Sequence, residues 1–184
     1  TYCSGVMMAG GSISLKEVIP EQLEEPLILF QRAGAVVKRE RERLFICMKD
    51  RPDPLKISTG PYPGFPTDMQ SLFMAFLSIA KGESCITENV FEDRFGTAAE
   101  LVKMGADITC QGKTAVIKGV PLLAGTKVRA LDLRGAAALV MAALGAEGST
   151  IIEDCYHIKR GYEDICRDLR ALGGRADWME SDTG

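Results

Sequence analysis

The chain has 184 residues, of which 46% are apolar and 26% are charged, and its formal net charge at pH 7 is -3. This composition is typical of a globular protein long enough to bury one substantial core, and it disfavours a disordered chain. No run of Lys or Arg is longer than two residues, so the sequence offers no basic surface for nucleic acid or an anionic membrane. Any anionic ligand must therefore be bound by a few placed cations.

The cysteines and the single histidine limit the chemistry that the chain can support. Six cysteines are scattered without a CxxC pair, which is typical of reduced, buried thiols in a cytoplasmic protein rather than of disulfides or a zinc site. His157 is the only histidine, which argues against a His-based metal centre or a Ser-His-Asp triad. We predict an ordinary histidine at the end of a strand, with a lone acid or base as the alternative. No apolar stretch approaches the ~20 residues that span a bilayer, and the first residues lack a signal-peptide pattern, so we expect a soluble, unsecreted chain.

The first predicted element is a helix over residues 2–9, which has no capping residue before it. Because the chain begins without Met and inside this helix, we expect it to be part of a longer protein. A strand start at 9–13, a second helical stretch that ends before Gly34 and an apolar strand follow. We expect the apolar side chains at 6–8 to be buried against later helices.

This succession returns twice, around residues 80–110 and 146–174. Each copy has an apolar helix that ends at a glycine, a short β-branched strand, and an amphipathic helix that ends at another glycine before a further strand. The second and third copies open with Asp68 and Asp132, which stand 64 residues apart because 132 minus 68 is 64. Glycine reaches the left-handed conformation without a side-chain clash, so three glycines are predicted as helix C-caps: Gly34, Gly105 and Gly173. We predict repeat units at about 1–50, 66–120 and 128–180, the first of them truncated.

The first helix of each complete copy is apolar all round, at residues 72–77 and 136–144. A helix without a polar face belongs inside the protein, whereas the second helices carry charges on one side and can face solvent. Strand-like segments at 115–117, 127–131 and 150–152 complete sheets around the buried helices. These periodicities predict an α/β fold built as a threefold-repeated domain.

The segment 63–70 is the strongest candidate for a functional motif, and it reads Pro63-Gly64-Phe65-Pro66-Thr67-Asp68-Met69-Gln70. One interpretation is structural: Thr67 caps the following helix, Gln70 completes a capping box, and Asp68 favours the positive helix end. The other is functional: the stiff prolines hold Asp68 where its carboxylate accepts a proton from a substrate hydroxyl that attacks an electrophilic carbon. A carboxylate with a pKa near about 3.9 is a weak base toward an alcohol, so this role requires an activated electrophile and nearby cations.

Three arginines lie at predicted strand-to-helix edges of the repeats. Arg94 and Arg160 each precede a second helix, and Arg134 begins a first helix. Guanidinium groups and helix starts both bind carboxylate and phosphate oxygens. Together the three arginines predict a converging anion site.

Each of these residues also has a local structural interpretation. Arg94 would pair with the acidic residues at 92–93, and Arg160 would be a solvated cap near the acidic residues at 163–164. Asp132 is first a helix-start residue, and its functional alternatives are to orient the nearby arginine or to exchange a proton with substrate. No glycine-rich phosphate loop, metal-ligand cluster or dinucleotide fingerprint is present in the sequence, so no metal site is predicted.

Four motifs occur in a fixed order along the chain: segment 63–70, Phe91-Glu92-Asp93-Arg94-Phe95, Asp132-Leu133-Arg134 and Arg160-Gly161-Tyr162-Glu163. Together they resemble the UDP-N-acetylglucosamine 1-carboxyvinyltransferase family of enolpyruvyl transferases, over essentially the whole chain. The resemblance implies an inside-out α/β domain of repeated units, with helices buried and sheets outside. Residues 1–184 would then form the C-terminal domain, and an N-terminal domain of the same protein would be missing.

The family's activity is what the resemblance implies for function. It is transfer of the enolpyruvyl group of phosphoenolpyruvate to the 3-hydroxyl of UDP-N-acetylglucosamine, through a tetrahedral intermediate, with release of phosphate. This is the first committed step of peptidoglycan synthesis in the cytoplasm, and so bears on cell-wall biogenesis, cell shape, the cell cycle and cell division. The resemblance implies no cofactor, no metal, no nucleic acid and no membrane.

The resemblance also assigns a role to each candidate residue. Asp68 matches the carboxylate that contacts the sugar hydroxyl and takes its proton, and Asp132 matches a carboxylate near the reacting carbon. Val90 matches a position whose backbone contacts the nucleotide sugar, with Phe91 adjacent. The arginines that match those around the carboxylate and phosphate of phosphoenolpyruvate are Arg94, Arg134 and Arg160.

The family's other domain supplies a mobile loop with a catalytic cysteine and further Lys and Arg contacts, and none of the six cysteines here lies in a comparable loop. We therefore expect the chain alone to be inactive. Two alternatives stay open: enolpyruvylshikimate-phosphate synthase, which shares the repeats and phosphoenolpyruvate, and a non-catalytic binding module of the same fold.

Overall fold

A computed structural model describes residues 1–179; Glu180–Gly184, predicted from the sequence as part of a frayed end, lie outside the described residues. The α-helices are α1 (Tyr2–Ala9), α2 (Glu24–Arg32), α3 (Gln70–Leu77), α4 (Gly96–Lys103), α5 (Leu133–Leu144) and α6 (Ile165–Ala171). Short 3-10 helices occupy Pro20–Leu23, Thr67–Met69 and Cys155–Arg160. Within residues 1–179, no helix combines the length and the hydropathy that crossing a bilayer would require.

Within residues 1–179, the strands form three sheets. They are β1 (Gly11–Lys16), β2 (Val36–Glu40), β3 (Arg43–Met48), β4 (Lys56–Ser58), β5 (Glu83–Thr87), β6 (Asp107–Gln111), β7 (Thr114–Lys118), β8 (Lys127–Arg129) and β9 (Ile151–Glu153). The first sheet has the order β1-β3-β2, the second β4-β5-β7-β6, and the third β8-β9. The pairs β4–β5 and β8–β9 are parallel, and the others are antiparallel.

The three sheets are portions of one pattern. In the second sheet, the strands numbered along the chain lie side by side in the order first, second, fourth, third. The first sheet matches the last three positions of this order, and the third sheet matches the first two. We propose that each sheet with its helices is one repeat, called here the first, second and third unit. The sequence did not predict β4, which lies outside 66–120, and the further strand predicted after α6 is absent from the described residues up to 179.

Helices α1, α3 and α5 lie in the interior, where they contact one another. Every residue of α3 is buried, and the apolar residues at 6–8 of α1 are buried as expected. Four buried aromatic rings meet at this centre with centroid separations of 4.7–5.8 Å: Phe30, Phe65, Phe73 and Phe76. Full burial of each such side chain contributes roughly 1.5–3 kcal/mol. The predicted α/β fold, with apolar helices inside and sheets outside, is confirmed.

Glycines end the amphipathic helices of all three units. Gly34, Gly105 and Gly173 follow α2, α4 and α6 with φ of 100°, 92° and 91°. A side chain at these left-handed positions would be strained, so the predicted C-caps are confirmed.

Two local predictions were wrong. All six cysteines are unpaired, but only Cys3 and Cys166 are buried and Cys110 is exposed, because β6 is the outer edge strand of its sheet. His157 lies in a 3-10 helix rather than at a strand end, and its ring is tilted by 33° against that of Tyr156 at 3.9 Å between ring centroids. Strand β9 has already ended, since Asp154 takes the left-handed conformation with φ of 57°.

Arg51, in the loop between β3 and β4, binds the turn that follows the buried helix α3. Its guanidinium donates to the carbonyl oxygens of Ile79 and Ala80, each at 2.8 Å, and of Val120 at 2.9 Å. Carbonyls after the last helical turn have no partner within the helix, and hydrogen bonds from a charged donor contribute about 1.5–3 kcal/mol each. Replacement Arg51→Met is expected to lower the free energy of unfolding by about 2–4 kcal/mol, measured by urea denaturation.

Lys81→Met is the matched control for this prediction. Lys81 is a nearby exposed cation whose ammonium lies 3.9 Å from Asp53, and its loss is expected to change stability by less than about 0.5 kcal/mol. Equal effects of the two replacements would contradict a specific role for Arg51.

Candidate active site

Asp68 lies in the 3-10 turn Thr67–Met69, immediately before the buried helix α3. The predicted capping box is wrong: Pro66 precedes the turn, and neither Thr67 nor Gln70 bonds the helix backbone with its side chain. Gln70 is fully buried, and its side-chain oxygen accepts from the Ser71 hydroxyl at 3.2 Å. The side chain of Thr67 bonds a distant carboxylate instead.

The carboxylate of Asp68 is bound by two of the predicted arginines. Oδ1 accepts from Nη2 of Arg94 at 2.8 Å, and Oδ2 accepts from Nη2 of Arg134 at 2.7 Å. The side chain of Asp68 is 53% exposed and those of Arg94 and Arg134 are 21% and 40% exposed, so this ion triplet is open to solvent. Arg94 therefore pairs across 26 residues with Asp68 and not with its acidic neighbours, which corrects the local alternative.

The two arginines change the acidity of the site. The hydrogen bond from Arg134 is the largest influence that holds the pKa of Asp68 below its usual range, and the charges of both arginines add to it. The same hydrogen bond raises the pKa of Arg134 above its usual value. Asp68 is therefore a carboxylate at neutral pH, and it is a weaker base than an isolated aspartate.

Val90 and Phe91 lie at the rim of this site. Both are about half exposed, and the ring of Phe91 lies 4.5 Å from the guanidinium carbon of Arg94. Stacking on an aromatic face orients a guanidinium and leaves its edge free to donate. The edge of the Arg94 guanidinium, which the Phe91 ring leaves uncovered, donates to Asp68.

Asp132 lies at the start of α5, two residues before Arg134, and Arg160 lies in the turn that packs against the start of this helix through Gly161. Asp132 is the N-cap, and its Oδ1 accepts from the backbone N–H of Gly135 at 2.8 Å, so its structural interpretation is confirmed. Arg160 ends the 3-10 helix Cys155–Arg160; it is exposed and forms no ion pair or hydrogen bond with the described residues. A Cβ on Gly161 would lie 3.0 Å from the Leu133 side chain, which shows how closely this turn approaches the start of α5.

Arg160 is solvated, as its local structural interpretation predicted, but it forms no contact with the acidic residues at 163–164. Asp164 caps α6 by accepting from the backbone N–H of Arg167 at 3.0 Å, and Glu163 pairs with the Arg167 side chain at 3.5 Å. Both acidic groups are thus turned toward their own helix. The charge of Arg160 stays available to a ligand.

A cavity of about 320 Å³ opens beside the ion triplet. Most of its lining lies between Thr1 and Phe30 in the first unit, and Asp68 and Arg134 contribute its charged side chains. Cavities of this kind, mostly apolar with a few convergent polar groups, are typical of small-molecule sites.

Glu88 is the functional candidate that the sequence reasoning missed. This buried acid, 1% exposed, follows β5 and accepts hydrogen bonds from two threonine hydroxyls and two backbone N–H groups. Burial acts to raise the pKa of Glu88, but the hydrogen bonds together hold it below its usual value. The repeats contained a pattern that could have identified Glu88, since an acidic residue also follows the strand equivalent to β5 in each of the other units, at Glu17 and Asp154.

Comparison with known proteins places the chain among enolpyruvyl transferases. The EPSP synthase (3-phosphoshikimate 1-carboxyvinyltransferase) family matches residues 1–169. A relative named UDP-N-acetylglucosamine 1-carboxyvinyltransferase from Aeromonas hydrophila is 44% identical over 96% of this chain and 43% of its own length. One of the same name from Myxococcus xanthus is 45% identical over 94% of this chain and 41% of its own length. The chain thus spans about two fifths of the curated relatives it matches.

Solved structures agree on the fold. The enolpyruvyl transferase NikO from Streptomyces tendae has a TM-score of 0.84 and 29% identity, over 94% of this chain and 41% of that protein. EPSP synthase from Acinetobacter baumannii has a TM-score of 0.59 and 20% identity, over 82% of this chain and 37% of that protein, a likeness that shows the fold alone. The resemblance predicted from the four motifs is confirmed. The chain belongs to the EPSP synthase (3-phosphoshikimate 1-carboxyvinyltransferase) family of enolpyruvyl transferases.

Proposed function

We propose that this chain is part of an enzyme that transfers the enolpyruvyl group of phosphoenolpyruvate to the 3-hydroxyl of UDP-N-acetylglucosamine and releases phosphate. The observation that carries the proposal is the Asp68 carboxylate held between Arg94 and Arg134 at the mouth of a cavity. Relatives named UDP-N-acetylglucosamine 1-carboxyvinyltransferase, at 43–45% identity, support UDP-N-acetylglucosamine as the substrate over the acceptors of other enolpyruvyl transferases.

Phosphoenolpyruvate carries a carboxylate and a phosphate, so its site needs several cations. Arg94, Arg134 and Arg160 supply forked donors, and the start of α5 adds a favourable dipole. Arg160 has no competing partner among residues 1–179, so its guanidinium can bind the anion without first breaking an ion pair. The backbone N–H of Val90 is occupied by Glu88, so the backbone group that Val90 offers to the nucleotide sugar is its carbonyl.

In this proposal Asp68 is the base that accepts the proton of the sugar hydroxyl. Its lowered pKa makes it too weak to ionise an alcohol unaided, so the electrophile must be activated by a proton delivered to the methylene carbon of phosphoenolpyruvate. The sugar oxygen then bonds to the central carbon, its proton passes to Asp68, and a tetrahedral intermediate forms. Loss of a proton from the methyl group of the intermediate and cleavage of the carbon–oxygen bond to phosphate regenerate the methylene carbon and complete the transfer.

The remaining candidates stabilise charge during these steps. Arg134 and Arg160 offset negative charge on the leaving phosphate. Asp132 uses Oδ1 to cap α5. In this proposal its Oδ2 acts near the reacting carbon. The catalytic set that we propose is Asp68, Asp132, Arg134 and Arg160, with Val90, Phe91 and Arg94 as further substrate contacts.

Phosphate release by the full-length protein tests the proposal. The protein is incubated with phosphoenolpyruvate and either UDP-N-acetylglucosamine or shikimate 3-phosphate, and turnover is expected with the nucleotide sugar only. Turnover with shikimate 3-phosphate would instead assign the enolpyruvylshikimate-phosphate synthase reaction. Binding of both substrates without turnover would assign the non-catalytic module.

The 184-residue chain alone is expected to be inactive. The tetrahedral intermediate requires an acid for the methylene carbon, and none of the residues placed at the site above is suited to that role. We propose that an N-terminal domain of the same protein supplies it. Phosphate release by the isolated chain with both substrates, above a protein-free control, would contradict this expectation.

The cellular setting follows from the proposed reaction. Such an enzyme acts in the cytoplasm at the start of peptidoglycan synthesis, and through the cell wall it affects cell shape and division. Depletion of the protein is therefore expected to reduce labelling of the wall by a peptidoglycan precursor, measured against a strain that retains it.

A further inference from the structure

Glu88 is a buried carboxylate whose hydrogen bonds come from two separate parts of the site. Its Oε1 accepts from the Thr59 hydroxyl at 2.8 Å, from the backbone N–H of Val90 at 2.9 Å and from that of Phe91 at 3.2 Å. Its Oε2 accepts from the Thr67 hydroxyl at 2.9 Å. A buried charge is stable only when hydrogen bonds replace its water, so these four bonds hold the carboxylate in one place.

The same bonds join the segment that carries Asp68 to the segment that carries Arg94, two of the three members of the ion triplet. Thr67 directly precedes Asp68, so the bond to Oε2 fixes the start of the turn that presents the base. Phe91 supports Arg94 through its ring, so the bonds to Oε1 fix the platform on which the cation lies. Asp68 and Arg94 thus lie 2.8 Å apart, and a different oxygen of the Glu88 carboxylate fixes the segment of each.

The equivalent acids of the other two units do not share this environment. Glu17 follows β1 and Asp154 follows β9; both are exposed, and both take the left-handed conformation with φ of 57°. Asp154 binds the side chain of Arg129, a solvent-exposed partner. A buried ion is costly to the fold, and two of the three units form their sheets without one. The buried acid of the second unit is therefore not required by the repeat itself.

We propose that Glu88 is a positioning residue for enolpyruvyl transfer, which sets Asp68 and the Val90–Phe91 turn at a fixed separation around the substrates. This inference rests on the proposed function. Glu88 makes two connections, called here its arms: one from Oε2 toward Asp68 and one from Oε1 toward the Val90–Phe91 turn. Because the arms use different oxygens, each can be removed separately, and we expect the two removals to have different kinetic consequences.

Three variants of the full-length protein separate the arms. Glu88→Ala releases both, and Thr67→Val releases only the arm to Asp68 with almost no change in side-chain volume. Glu88→Gln keeps an oxygen for the three donors at Oε1 and places an amide N–H₂ against the Thr67 hydroxyl, which can rotate to accept. Glu17→Ala, at the equivalent exposed position of the first unit, is the matched control.

Steady-state kinetics with both substrates give the first readout. Glu88→Ala is expected to lower kcat/KM by about 30- to 100-fold, since a displacement of about 1 Å at a reacting group can cost about 100-fold. Thr67→Val is expected to lower kcat about tenfold while the KM for UDP-N-acetylglucosamine stays within about twofold. Glu88→Gln is expected to return kcat/KM to within about threefold of the parent, and Glu17→Ala to leave it unchanged.

Amide hydrogen exchange in the substrate-free chain gives a second readout that does not depend on the reaction. Exchange at Val90 and Phe91 is expected to accelerate at least about tenfold in Glu88→Ala and to stay unchanged in Thr67→Val. If the parent protein lacks the proposed activity but exchange follows this pattern, the proposed function fails and the geometric role of Glu88 stands. The inference is overturned if Glu88→Ala leaves both kcat/KM and exchange unchanged, if Glu88→Gln is as damaging as Glu88→Ala, or if Thr67→Val raises KM as much as it lowers kcat.

Discussion

Replacement Asp68→Asn is expected to lower turnover by about 1000-fold and, at the same time, to strengthen the binding of phosphoenolpyruvate. Turnover falls because the amide cannot accept the proton of the sugar hydroxyl. Binding improves because Asp68 competes with the anionic substrate for Arg94 and Arg134, to which it is joined at 2.8 and 2.7 Å. Exposed ion pairs contribute about 0.2–1 kcal/mol each, so freeing two of them corresponds to a gain in affinity between about two- and thirtyfold.

Isothermal titration calorimetry and phosphate release with the full-length protein measure the two effects separately. Glu24→Gln is the matched control, because it also removes a carboxylate from an arginine, at 2.9 Å from Arg39, on a different part of the surface. It is expected to change neither quantity. A parallel loss of affinity and turnover in Asp68→Asn would show that Asp68 assembles the anion site rather than competing for it.

Replacement Arg134→Met is expected to lower kcat/KM by about 100- to 1000-fold, because it removes a donor that we propose stabilises the anionic substrate and the leaving phosphate. It is also expected to raise the pKa of Asp68 toward the usual value of a carboxyl group, since the hydrogen bond from Arg134 is the largest influence that lowers it. Asp68 must be ionised to accept a proton. The acid limb of the pH–rate profile of any residual activity is therefore expected to move to higher pH.

Carbon-13 NMR of the Asp68 carboxyl in the substrate-free chain measures this pKa directly. Arg39→Met is the control, since Arg39 also pairs with one carboxylate, in the first unit. It is expected to leave both the pKa of Asp68 and kcat/KM unchanged. A pKa of Asp68 that is the same in Arg134→Met and in the parent would mean that the ion pair is not formed in solution.

The buried helices were predictable from the sequence because their signal is local and dense. Residues 72–77 and 136–144 have no polar face, and only an interior position suits such a helix. The C-cap glycines were predictable for the same reason, because the left-handed conformation is a property of a single residue. The strand β4 was not predicted, since Lys56–Ser58 lies before residue 66, where the second copy of the repeat was predicted to begin.

The partners of individual charges could not be deduced from the sequence. Arg94 has two acidic neighbours, but the Phe91 ring lies against one face of its guanidinium and its edge meets Asp68, 26 residues away. Thr67 shows the capping-box pattern, yet its hydroxyl bonds Glu88, 21 residues away. Such choices depend on which groups the packed helices and sheets bring within about 3 Å, and sequence spacing does not encode that distance.

The ion triplet also links ligand binding to the cooperativity of unfolding. Asp68 and Arg94 belong to the second unit and Arg134 to the third, 66 residues from Asp68, so the site exists only while the two units remain docked. An anion that binds both arginines adds RT ln(1 + [L]/Kd) to the free energy that separates the docked state from any state in which one unit has opened. Phosphoenolpyruvate, the anion that we propose both arginines bind, is therefore expected to strengthen the coupling between the second and third units, whereas a ligand that contacts only one unit adds nothing to it.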